Sequence, residues 1–219
     1  RARPGAPDVY KGQERVTDEA VEAKSKGDRE GALKILHAAL VASPQDLVAT
    51  RLLVQTLVET GAPHQSIVDI ASPALAQAKT QQSDINLIRI GFWYGLSEAL
   101  RGDKTKGLAL LDEAERIADR NNDWLYLAYI EEIRGQISQS DQRYSQAQRH
   151  YQQAMSYHGI LHCPLGQSNT LMHLSRLAND QNNHQLALEN AQRALAIIDT
   201  RNLKSKQPAA EQWLRSLTH

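Results

Sequence analysis

The 219-residue chain has little of several things, and each shortage excludes something. It has one cysteine, Cys163, so an internal disulfide framework and a cysteine-rich zinc site are both excluded. A single cysteine fits cytoplasm and periplasm alike. There is no excess of charge of either sign: 25 basic and 25 acidic residues leave a formal net charge of zero. General nucleic-acid binding needs a basic face to displace counterions, so no direct binding of nucleic acid is expected. No apolar run approaches the roughly 18–20 residues needed to cross a bilayer, so no membrane insertion is expected. There is no alternating strand pattern, no glycine-rich phosphate loop, no paired-histidine zinc helix and no kinase signature. The chain is therefore expected to be no enzyme, with no catalytic, cofactor or metal residues.

Alanine and leucine are abundant and glutamine is frequent. The length suits one domain or two small ones. The first residue is Arg1, which suggests a piece of a longer protein or a processed product. No signal peptide is evident. Residues 1–12 open with RARPGAPD and are expected to form a linker or disordered tail.

A short pattern then recurs. A turn is followed by a small residue, a large apolar residue about four positions on, and an alanine three after that. The copies begin Ala32–Leu36–Ala39, Ser66–Ile70, Gly107–Leu111–Ala114, Ala147–Tyr151–Ala154 and Ala187–Ala191–Ala194. The small residue steps by 34, 41, 40 and 40 positions. Small residue, plus four and plus seven lie on one face of a helix. A small side chain lets a second helix approach closely. The preceding helix of each pair carries its own apolar stripe, for example Leu52, Leu53 and Leu57, or Leu171, Leu174 and Leu177. One such hairpin hides too little apolar area alone, so neighbours must stack.

The expected units are 13–46, 47–80, 84–120, 123–157 and 167–200, making a repeat domain over 13–206. A terminal helix over 207–219 starts at Pro208, carries Trp213, Leu214 and Leu217, and is expected to cap the stack. Ser83 and Asp123 are expected helix caps, and Pro73 is expected to kink or restart its helix.

These residues resemble the tetratricopeptide repeat family. The first unit carries Gly27-Asp28, Ala32, Leu33, Leu36, Ala39, Leu40 and Pro44, and the third and fourth carry Gly95 and Gly135 in mid-helix. The resemblance covers roughly residues 13 to 200 and departs at Ala20, at Pro73 and in three long units. The longer units look like the sensor arrays of bacterial transcription activators and signalling ATPases. The resemblance implies an all-α, right-handed superhelical solenoid of about five helix–turn–helix units plus a capping helix. It also implies a groove lined by the first helix of each hairpin. Its inward positions fall on Arg51, Gln55, Arg89, Phe92, Leu96, Tyr129, Glu132, Gln136, Asn169, Met172 and Arg176. Such a mixed surface suits an extended peptide. The subfamily that grips chaperone tails uses a lysine/asparagine clamp, but Thr17 and Val21 stand there instead.

Local chemistry elsewhere is weak. His158, His162 and Cys163 lie close in sequence, but Gly159 and Pro164 are expected to make this stretch a loop. The carboxylate pairs Glu131-Glu132 and Asp112-Glu113 are expected on solvated helix faces. Trp93, Tyr94, Trp124, Tyr126 and Tyr129 are expected mostly in the core, some of them at the groove. The expected function is non-catalytic recognition of a protein or peptide, as the sensing or scaffolding part of a larger bacterial regulator. The alternatives are a small-molecule sensor of a transcription regulator and a homodimer scaffold with Trp213 in the contact.

Overall fold

A computed structural model describes the backbone of residues 8–218 and the side chains of residues 16–218. Eleven α-helices and no strand occur among the described residues. They are α1 (Asp8–Ser25), α2 (Arg29–Ala42), α3 (Leu47–Glu59), α4 (His64–Thr80), α5 (Asp84–Arg101) and α6 (Lys104–Arg120). They continue with α7 (Trp124–Ser140), α8 (Tyr144–Ile160), α9 (Pro164–Asp180), α10 (His184–Thr200) and α11 (Gln207–Thr218). The first helix starts at Asp8, inside the stretch expected to be a tail; residues 1–7 of that stretch lie outside the described residues. The chain divides into two compact units, Arg1–Ile117 and Ala118–His219.

Helix ends explain the regular spacing. From α5 to α10 the helices begin at residues 84, 104, 124, 144, 164 and 184, a step of twenty. At six of the turns one residue takes the left-handed conformation, with φ between 47° and 59°: Gln82, Asn122, Gln142, His162, Asn182 and Asn202. The next N–H then closes back on the carbonyl five residues earlier, as in Arg143 to Ser138 at 2.8 Å and Asn183 to Ala178 at 2.8 Å. This closure satisfies carbonyls that the helix end would otherwise leave open. The following helix is often capped at once. Asp46 accepts from the Val48 and Ala49 amides, Asp123 from Tyr126 and Asn183 from Leu186. Ser83 is the N-cap residue of α5 as expected, but its hydroxyl accepts from the Asn86 side chain at 2.9 Å and caps no backbone amide.

Small residues set how closely paired helices approach. A Cβ added at Gly95 would stand 3.1 Å from the Gly107 carbonyl, and one at Gly107 would overlap the Ala99 backbone. One hairpin later a Cβ at Gly135 would overlap the Tyr151 ring. A further hairpin on, the equivalent position is Ser175. Its hydroxyl donates to the Ala187 carbonyl at 2.6 Å and so satisfies the backbone it crowds.

In the first compact unit Leu36, Leu53, Val54, Ile67, Ile90 and Tyr94 belong to one cluster of buried side chains. In the second, Ala147, Tyr151 and Leu177 form one cluster; Leu171, Met172, Ala194, Ile198 and Ala210 form another, with Trp213 packed on it.

Two local expectations need correcting. Pro73 does not restart a helix: it sits inside α4. It lies on the exposed side with Asp69, so water can take the carbonyl its missing N–H abandons. The stretch around His158 is not a loop. Helix α8 runs through His158 and Gly159 to Ile160, and α9 starts at Pro164, where a proline needs no N–H partner.

Candidate functional site

In the first compact unit the predicted inward residues lie on α3 and α5, and much of their chemistry is already spent. Arg51 donates to the Asn86 side chain at 3.3 Å, and Gln55 donates to Glu59 at 2.7 Å. Glu59 also meets Lys24 of α1 at 3.0 Å. Arg89 is half-buried. Phe92 and Leu96 are only 3% and 8% exposed, so they act chiefly as packing. The Phe92 ring stands edge-on to Trp93 at 5.0 Å.

The end of α5 carries a denser network that no local sequence pattern signals. Glu98 is buried and binds Lys106 at 2.6 Å, His64 at 3.3 Å and the Asp103 amide at 3.0 Å. Burial pushes the Glu98 carboxyl up, but the hydrogen bonds from Lys106, the Asp103 backbone and Tyr94 outweigh it, so the group ends below the usual carboxylate range. Lys106 is pushed up to about 12 by its bonds to Glu98 and Tyr94. This network ties the ends of α4, α5 and α6 together and holds its charges against one another.

In the second compact unit Tyr129, Glu132 and Gln136 lie on α7 and Asn169, Met172 and Arg176 on α9. The carboxylate pair Glu131-Glu132 does not face solvent as expected. Glu131 is 8% exposed and meets His150 at 2.8 Å and Arg134 at 3.1 Å. Glu132 accepts from Thr170 at 2.5 Å and faces His158 Nε2 at 3.2 Å. The helix partners arrive from α8 and α9, which a local charge pattern cannot reveal. His158 is fully buried, and its Nδ1 finds no hydrogen-bond partner. That nitrogen abuts Gly166, where a Cβ would overlap the ring. Nε2 is the ring nitrogen placed to bond Glu132, while Nδ1 is pressed against the glycine.

Glu132 is thus engaged by its own neighbours, and Tyr129 leans on His158 with ring centres 6.3 Å apart. By contrast, Asn169, Met172 and Arg176 come together at one open cleft of about 200 Å³ between α9 and α11. His173, Lys206 and Ala210 also line it. The Arg176 guanidinium lies 5.6 Å over the Trp213 ring, whose indole N–H donates to Ser175 at 2.8 Å. His173 stacks on Tyr151 at 5.3 Å; burial, with a further push from Arg176 and some opposition from Glu132, holds its imidazole below the usual histidine value. His173 and Lys206 are cleft residues that the family's inward pattern does not mark. For Lys206 the available signal was the proline in the first turn of α11, two residues on.

Among the described residues no group of three or more His, Cys, Asp or Glu side chains is placed to hold a metal ion. No described helix is long and apolar enough to cross a membrane. The cleft offers an amide, a thioether and two cations: it can hydrogen-bond, bury an apolar group and pair with an anion.

No family model and no curated protein matches the chain. Solved structures do. A thermophilic tetratricopeptide protein of Thermus thermophilus is 19% identical, with a TM-score of 0.65, over 91% of this chain and 98% of that one. The fold is that of the tetratricopeptide repeat. Tetratricopeptide-like repeats of a putative kinesin light chain from Podosopora anserina align at a TM-score of 0.60 and 12% identity, over 86% of this chain and 95% of that one. The tetratricopeptide fold also relates 91% of the chain to 31% of a signal transduction ATPase with a tetratricopeptide repeat sensor from Pyrococcus horikoshii, at a TM-score of 0.69 and 13% identity.

Proposed function

We propose that the chain is a non-catalytic recognition domain that holds an extended protein or peptide segment against the first helices of its hairpins. The observation that carries this reading is the cleft on α9, where Asn169, Met172 and Arg176 meet beside α11. Its walls are helices pinned by buried contacts, so little ordering remains to oppose binding. The part-buried polar face of α3 and α5, with Arg51, Gln55 and Arg89, supplies a second surface of similar chemistry. The likeness to a repeat that serves as the sensor of a signal transduction ATPase supports a place as the sensing or scaffolding part of a larger regulator.

The test starts with selection of binders from a displayed library of short, about ten-residue peptides, a length that suits an extended segment laid in a groove. Binding is then titrated for the wild type, Arg89→Glu and Met172→Glu. A selected peptide is expected to bind, and at least one variant to weaken it about tenfold or more while helical circular dichroism stays unchanged. If no peptide is selected, or both variants bind every selected peptide as the wild type does, the reading falls.

A further inference from the structure

The cleft between α9 and α11 has a one-sided charge. Arg176 on α9 and Lys206 in the turn before α11 both line it, and no carboxylate does. Neither cation makes a hydrogen bond or an ion pair with a described residue; the contact of Arg176 is with the Trp213 ring. Glu132 of α7, a carboxylate close enough to act on His173, is occupied by Thr170 and His158. Met172, Ile198, Ala209 and Ala210 give the cleft an apolar side, and Ser168 and His173 line it as well. An amide, Asn169, completes the rim.

We infer that this cleft binds the carboxylate side chain of an internal acidic residue in a peptide, with an adjacent apolar side chain seated against Met172. The inference deepens the proposed function and rests on it. Two cations without a carboxylate partner, Lys206 half-buried and Arg176 exposed, favour an anion, because a charge-assisted hydrogen bond is about twice as strong as a neutral one. The apolar wall beside them favours a peptide over a bare inorganic ion. A side-chain carboxylate is chosen over a chain terminus because the backbone N–H groups that form one kind of terminus-binding nest are already bonded in the cleft residues of α9, which lie inside the helix, so only side chains meet the anion. Asn169 is then placed to bond the peptide backbone.

The test is a titration followed by NMR at the Met172 methyl and the Trp213 indole. The probes are two short peptides capped at both ends, identical except for Leu-Glu in one and Leu-Gln in the other, with sodium acetate as a third. The Leu-Glu peptide is expected to move both signals and to bind about tenfold more tightly than the Leu-Gln peptide. Arg176→Gln and Lys206→Gln should each weaken the Leu-Glu peptide several-fold and erase its advantage. Lys206→Gln keeps the Trp213 contact intact, so it separates charge from packing. Equal binding of the two peptides, acetate binding as tightly as Leu-Glu, or full affinity in Lys206→Gln would each overturn the inference. If the Leu-Gln peptide binds equally well and still moves Met172, peptide recognition stands and the acidic preference is lost. If neither these peptides nor any from the displayed library bind, both readings fall.

Discussion

At the residue scale, the informative positions are those where a side chain is small because another chain element is close. Gly135 faces the Tyr151 ring, and that ring cannot easily yield. Its hydroxyl is tied to Gln139 at 2.8 Å and its face is stacked on His173. Gly135→Ala is therefore expected to destabilise the fold by about 1–3 kcal/mol, the usual cost of overpacking a filled core. Urea denaturation would measure it, and an unchanged midpoint would show that the pair of helices has slack. Gly159 is the opposite case, since a Cβ there meets nothing within 4 Å. It is a helical glycine with room around it, which is why the local pattern points the wrong way: a glycine and a proline close together among two histidines look like a loop. The buried pairing of His158 with Glu132, 26 positions away, helps hold that segment helical to Ile160. Such a partner is invisible to any local pattern.

At the element scale, the helix ends carry a cost that substitution can relieve. Gln142 sits at φ 58° with an L side chain. The left-handed region costs such a residue about 1–2 kcal/mol, against which glycine loses some unfolded-state entropy. Gln142→Gly is expected to raise stability by about 0.5–1 kcal/mol, read as a higher melting temperature. A drop would mean that the Gln142 side chain contributes more than its backbone costs. The spacing of the elements was legible from Gly107, Ala147 and Ala187, because close helix approach admits only small side chains at those points. The cleft was legible only in part. Asn169, Met172 and Arg176 follow from a family pattern, whereas Lys206 and Ala210 join them through the docking of α11 on α9 and α10, a tertiary event.

At the scale of the whole molecule, titration couples several sites to stability. His173 and Glu98 both have folded pKa values below their ordinary ones. Each contributes stability that is complete above its unfolded pKa and is lost as pH falls through the folded one. The melting temperature is therefore expected to fall as pH drops below about 6.5, where the unfolded His173 begins to gain a proton. A second loss follows below about 4.3, where the unfolded Glu98 does. His173→Gln should remove the first phase and leave the second. A profile flat between about pH 7 and about pH 5 in the wild type, across the ordinary histidine value, would contradict the account of His173. Tyr151 acts in the other direction. Its phenol is raised by burial, so the stability it contributes is present below its unfolded value near about 10 and fades as pH rises past it.

The even step of twenty residues from one helix start to the next, over α5 to α10, bears on how the gene can change. A slip in recombination that duplicated or dropped one two-helix block would leave every cap, turn and small-residue contact inside the surviving blocks at its proper place. A slip that is not a whole number of such blocks would break the phase at once. Descendants of this coding sequence are therefore expected to differ in length by whole blocks, two steps of twenty codons at a time.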